Sequence, residues 1–321
     1  MFASSIGSPL AWGLFLAFVL GMLALDLGVF HRRAHQVRYR EALAWSGVWI
    51  GLALIFGAGV WMWHGPQRAL EYLAGFAIEK ALAVDNIFVI AVILSAFAIP
   101  AAQQHRVLFY GVLGALVLRA GFILAGGAFL NAFHWGIYAF GALLIITGIK
   151  LLVRQEEKPD PERNPLVRLA RRFLPVSTRP ADHHFVVREA TGRLAITPLL
   201  LALIAVEVSD VVFAVDSIPA IFAVTRDPFI VFTSNIFALL GLRSLYFVLA
   251  GIMDRFRYLN VGLALVLIFV GAKMALADVY KVPIGISLGV IALLIGASIM
   301  ASMVATRKHA PDSPARTQSG V

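Results

Sequence analysis

Five carboxylates stand inside otherwise apolar stretches of this sequence: Glu79, Asp85, Glu207, Asp210 and Asp216. Near the middle of a bilayer each costs roughly 2.5–3.5 kcal/mol if left ionised, and five together represent on the order of 10 kcal/mol. They must face one another, cations or a polar cavity, never lipid. Lys80, Arg119 and Arg243 are the compensating bases in the same stretches. Five acids against three bases leave two negative charges, which one divalent cation would neutralise, although protonation of any acid changes that balance. Every candidate ligand is an oxygen: the carboxylates, Asn86, Ser217, Ser209 and backbone carbonyls. The eight histidines (31, 35, 64, 105, 134, 183, 184 and 309) fall in loops or near the ends of apolar stretches, and cysteine is absent. Hard oxygen donors suit manganese, magnesium or calcium and disfavour copper and zinc. Ligand type alone leaves sodium and protons open. The competing structural reading is that the acids form salt bridges with the two arginines and fix a helix bundle.

Spacing sets what can converge. Glu207 and Asp210 are three apart and share a helical face. Glu79 and Asp85 are six apart, as are Asp210 and Asp216; six steps of about 100° leave each pair about 120° from a common face. An unbroken helix points them at different neighbours. Local unwinding is the alternative, favoured in the second segment by Asp216-Ser217-Ile218-Pro219, because proline frees a backbone carbonyl that can serve as a cation ligand.

The elements that carry these groups must be membrane helices. The 321 residues are 60% hydrophobic and 14% charged, against about 45–50% and about 25% in soluble domains. That excludes disorder and points to an all-α polytopic membrane protein, one transmembrane domain set in a lipid bilayer. Nine spans are expected, at about 10–30, 41–63, 70–98, 107–129, 134–153, 194–223, 229–251, 258–277 and 283–304. The formal charge of +9 would suggest nucleic acid in a soluble chain. Here Lys and Arg alternate between loops, with Arg32, Arg33, Arg38 and Arg40, Arg106, the loop at about 154–193, Arg255, Arg257 and the tail all on one side. The positive-inside rule then puts the N-terminus outside and the C-terminus in the cytoplasm. The 154–193 loop holds Arg171-Arg172, several prolines and His183-His184; it reads as a solvated positive-inside loop, with docking of a cytosolic or secretion partner as the alternative. The tail, about 305–321, reads as disordered. Asp26, near the cytoplasmic end of the first span, either joins the site or caps and snorkels.

Glu79-Lys80-Ala81-Leu82-Ala83-Val84-Asp85-Asn86-Ile87 and Asp210-Val211-Val212-Phe213-Ala214-Val215-Asp216-Ser217-Ile218 share one pattern. Leu-Arg119 then answers Leu-Arg243, and the segment ending Gly148-Ile149-Lys150 answers Gly271-Ala272-Lys273. From Asp to Arg is 34 residues in one copy and 27 in the other, and from Arg to Lys 31 and 30. Three landmarks in one order make repeat A about 70–153 and repeat B about 194–277. Each holds three helices, so the second copy is inverted, as in transporters whose site lies where the halves meet. The spans at about 10–30, 41–63 and 283–304 wrap this three-plus-three core.

On these motifs, with Val206-Glu207-Val-Ser209-Asp210, the run from Asn235 to Arg243 and Leu25-Asp26, the sequence resembles the TerC family of integral membrane proteins, in particular its Alx-type bacterial members, from about residue 10 to 304. The resemblance implies a manganese exporter of the LysE-like transporter group in the bacterial cytoplasmic membrane. It implies that Glu79, Asp85, Glu207, Asp210 and Asp216 bind the ion, with Mn²⁺ as transported substrate.

No P-loop is present, so no nucleotide is expected and the energy would come from the membrane potential or a proton gradient. A carboxylate alternating between metal and proton is the natural coupling device, with the pair Asp85 and Asp216 as first choices. The alternative function is a non-transporting membrane assembly or secretion partner, because relatives of the family are linked to membrane protein insertion. An intramembrane aspartyl protease would need a Gly-x-Gly-Asp signature, which the sequence lacks, so no enzyme is expected.

Overall fold

A computed structural model describes residues 5–30, 39–133, 135–153, 184–188, 194–249, 258–280 and 282–308. Ten helices and one two-stranded ribbon make up these residues: α1 (Pro9–Phe30), α2 (Tyr39–His64), α3 (Pro66–Ala96), α4 (Ala101–Ala132), α5 (Gly136–Val153), β1 (Val186–Arg188), β2 (Leu194–Ile196), α6 (Pro198–Phe222), α7 (Pro228–Leu240), α8 (Leu242–Leu249), α9 (Leu259–Ala275) and α10 (Ile284–Lys308). Each of the nine expected stretches is helical over most of its length. By length and apolarity, though, five helices qualify to cross a membrane among the described residues, or six if α7 and α8 count as one bent span. The long α3 carries Arg68, Glu71, Glu79, Lys80 and Asp85, and α1 and α9 offer only shorter apolar stretches.

Local chemistry starts the site-bearing helices. Pro66 opens α3 after Gly65, whose φ of 85° is open to glycine at no steric cost. Thr197 caps α6 by accepting from the Leu200 amide, with Pro198 in the first turn. Asp227 caps α7 by accepting from the Phe229 and Ile230 amides, and also accepts from Ser5 Oγ and the Ile6 amide, which ties the N-terminal segment to this helix.

Three expectations are corrected. The α6 helix does not unwind before Pro219: it runs unbroken to Phe222 with the proline inside it, so the loss of the Pro219 ladder bond is absorbed without a break. The interruption falls instead at Gly241, where α7 and α8 meet at 42°. There the Lys80 ammonium donates to the Ala238 carbonyl (3.2 Å), and a Cβ on Gly241 would stand 2.8 Å from Nζ. A lysine from α3 thus satisfies a carbonyl that a straight helix would have used internally. Finally, residues 194–196 form a strand paired antiparallel with 186–188, not the start of a span, and α10 continues to Lys308 where a tail from about 305 was expected. Residues 154–183 of the basic loop, Arg32, Arg33, Arg38, Arg255, Arg257 and 309–321 lie outside the described residues.

All thirteen residues of α7 are buried, as its all-round apolar sequence requires. Trp12, Phe15, Phe56 and Tyr72 pack around it against its own Phe229 and Phe237. Helices α5 and α9 meet antiparallel through small residues. A Cβ on Gly141 would lie 2.9 Å from the Gly271 carbonyl oxygen, and one on Gly148 2.7 Å from that of Ala264. Pairing Lys150 with Lys273 also pairs Gly148 with Gly271, Ile145 with Ile268 and Gly141 with Ala264, so each contact is the image of the other. Leu20, Ile55, Val117 and Leu293 project outward, as lipid-facing positions do.

Candidate functional site

Arg119, a little past the middle of α4, is fully buried. Its Nε and Nη2 donate to Asp210 Oδ2 (3.3 Å) and Oδ1 (3.0 Å), a two-pronged pairing of guanidinium with carboxylate. Its Nη1 donates to Glu79 Oε1 and faces Ser217 Oγ and the Asn235 amide oxygen, both at 3.3 Å. The Asn235 amide in turn donates to Glu79 Oε2 at 3.2 Å, which fixes its orientation. Four helices meet here: α3 brings Glu79, α4 Arg119, α6 Asp210 and Ser217, and α7 Asn235. Asp210 and Ser217 are seven residues apart, two turns on one face. Glu79, Arg119 and Asn235 are wholly buried and Ser217 nearly so, while Asp210 keeps a small exposed margin.

Asp216, Glu207 and Asn86 do not join this constellation. Asp216 lies on another face of α6, where Thr147 of α5 donates to it at 3.0 Å and the Lys150 ammonium is within electrostatic reach. Glu207 presses against α4 at Gly114, where any Cβ would overlap its carboxylate, and its Oε2 is buried with no hydrogen bond. Asn86 is 3% exposed, and its amide oxygen also has no partner. With Ser209, Asp210, Gly111 and Ala115 it lines a small cavity of about 20 Å³, room for one water-sized occupant. Ser209 Oγ donates to the Ala205 carbonyl, which leaves its lone pairs free to accept. Of the compensating bases, Arg119 grips Glu79 and Asp210; Lys80 serves the break at Gly241, and Arg243 lines a separate small cavity with Trp49 and Phe109. The side chains of Asp26 and Asp85 lie outside the described residues.

Among the described residues no three His, Cys, Asp or Glu side chains gather as a ready-made metal centre. Two acids are bridged by an arginine, as the structural reading requires, and the others are spread by helical phase. The position missed from sequence is Asn235. Its signal was legible as an amide in the middle of the apolar run Pro228–Leu240.

At one end of the bundle a vestibule of about 840 Å³ opens between the start of α3, the end of α6 and the α9–α10 connection. Glu71, Thr225, Arg226, Phe222 and Lys273 line it. Glu71 accepts from Thr225 at 2.7 Å and from Arg68 at 2.9 Å. Its wall at Glu71 is eight residues, about 12 Å of helical rise, from Glu79.

The profile of the family described as integral membrane protein TerC matches residues 64–310. The chain belongs to the TerC family. It is 59% identical to an uncharacterized membrane protein of Myxococcus xanthus, over 97% of each chain. It is 50% identical to a protein of Escherichia coli K12 named Alx and described as a candidate membrane-bound redox modulator, over 90% of this chain and 92% of the relative. An uncharacterized membrane protein of Rickettsia bellii is 40% identical, over 94% and 99%. No solved structure matches. This TerC-family chain is therefore an integral multi-pass membrane protein with bacterial relatives.

Proposed function

We propose that this protein is a secondary transporter that exports divalent manganese from the bacterial cytoplasm, with the ion crossing at the carboxylates of Glu79 and Asp210. The observation that carries this reading is the buried oxygen constellation of Glu79, Asp210, Ser217 and Asn235. These are hard donors, contributed by helices of both halves of the chain, as a transporter site between two repeats requires. The choice of manganese over magnesium or calcium follows the TerC resemblance; the donors suit all three. The exchange-symmetric seam between α5 and α9 supports an inverted repeat, with the site where the halves meet.

With the N-terminus outside and the C-terminus cytoplasmic, as the loop charges direct, the vestibule faces outward, and the cavity at Asn86 has room for a single water-sized occupant. Asp216, with Thr147 and Lys150 beside it, is the candidate for exchanging a proton for the ion's passage. The redox description of the relatives belongs to those proteins. In this chain the absence of cysteine leaves no thiol–disulfide couple to serve such a role.

The test is total cellular manganese, with magnesium, calcium and zinc alongside, in manganese-loaded cells expressing wild type, Glu79→Gln or Asp210→Asn at matched membrane levels. Wild type lowers manganese selectively and both variants leave it at the level of the empty cell. Equal manganese in all strains overturns export and favours an assembly or secretion role.

A further inference from the structure

We propose that the Arg119 guanidinium is a tethered stand-in for the transported ion, holding Glu79 and Asp210 while no divalent cation is bound and giving way when one arrives. This rests on the export reading for its cargo, and it concerns what regulates the site.

The oxygens around Arg119 are two carboxylates, an amide oxygen and a hydroxyl, the set a hard divalent ion selects. They exceed what the arginine can serve. Nη1 carries two protons and faces three oxygens, those of Glu79, Ser217 and Asn235, so one goes short. A spherical ion has no such donor limit. Charge argues the same way: Glu79 and Asp210 with Arg119 sum to one negative charge, whereas a divalent ion in place of the guanidinium makes the site neutral. Both cations at once would set like charges side by side in a dry interior, where little screens them.

A first foothold lies alongside. Asp210 belongs both to the Arg119 cluster and to the small cavity lined by Asn86 and Ser209. The Asn86 amide oxygen there is buried and unpartnered, a cost that an arriving cation removes. An ion entering at Asn86, Ser209 and Asp210 competes for Asp210 first and for Glu79 second. Release of the ion lets Arg119 close on both acids again. The tether therefore weakens binding and restores the empty site after each passage.

The experiment measures Mn²⁺ binding by the full-length protein in nanodiscs, from the spectrum of free Mn²⁺, and Mn²⁺ flux in liposomes. Wild type, Arg119→Lys and Arg119→Gln are compared. Arg119→Gln binds Mn²⁺ at least about tenfold more tightly than wild type, since a unit positive charge leaves two carboxylates. Arg119→Lys, which keeps the charge but loses the two-pronged grip, binds about threefold more tightly. Flux in both falls below a tenth of wild type. Should Arg119→Gln fail to fold, the lysine variant decides alone. Binding no tighter than wild type in the folded variants, including no binding in any, overturns the tether and makes Arg119 a structural bridge. The two readings fail separately: wild type without flux but with tighter binding on loss of Arg119 removes export and keeps the tether, and flux with unchanged binding does the reverse.

Discussion

At the scale of single residues, Asn235 does two jobs with one side chain. Its oxygen faces Arg119 and its amide nitrogen supplies Glu79, so it holds acid and base in register without adding charge. Asn235→Ala leaves Glu79 Oε2 buried without a donor, a loss of about 1–3 kcal/mol. The expected outcome is a lower melting temperature in detergent together with slowed manganese flux; a variant that melts and transports like wild type would remove Asn235 from the site. Asp210 and Asp216 make the complementary point. They sit six residues apart on one continuous helix, and the first meets an arginine on α4 while the second meets a threonine on α5. Two acids of one motif therefore serve different tasks, because a helix cannot aim both at one ion.

At the scale of elements, the break between α7 and α8 is held by a residue of a third helix. Lys80 reaches the carbonyl freed at Ala238 only because Gly241 has no side chain. Gly241→Val would drive into both Lys80 and Trp49, whose Cβ is 3.2 Å from the position a side chain would start. The expected result is poor accumulation of folded protein, whereas Gly47→Val, with nothing within 4 Å, accumulates normally. Size-exclusion profiles of the two variants check this. The sequence carried the helical stretches, the buried acids and the motif pairing of α3 with α6, because apolar periodicity and out-of-place charge are local signals. It could not carry which acid meets which base, since that depends on helix rotation and packing. Pro219 suggested an unwound segment, yet the interruption occurs at Gly241, which looked like any other small residue in an apolar run. A single proline removes one ladder hydrogen bond without having to unwind its helix, while a glycine facing a lysine admits a partner from outside.

At the scale of the whole molecule, outward apolar side chains surround a largely apolar core that holds the buried Arg119 cluster, with a vestibule at one end and a small separate cavity beside Asn86. The ribbon of 186–188 and 194–196 stands directly before α6, a helix that carries the site. Replacing 154–183 with a neutral linker of equal length separates two roles. Ion export keeps most of its flux in liposomes, whereas a role in docking partners is lost; disappearance of flux with intact folding would make the loop part of the transport cycle. The glycine seam has a consequence for how such a molecule can be built. Each side of the α5–α9 contact offers the same glycine-and-isoleucine surface that it receives. A chain holding only one half would carry, on a single helix, everything needed to form that seam with a second copy of itself. Joining two such copies by a loop yields a monomer whose central joint is a dimer interface enclosed within one polypeptide.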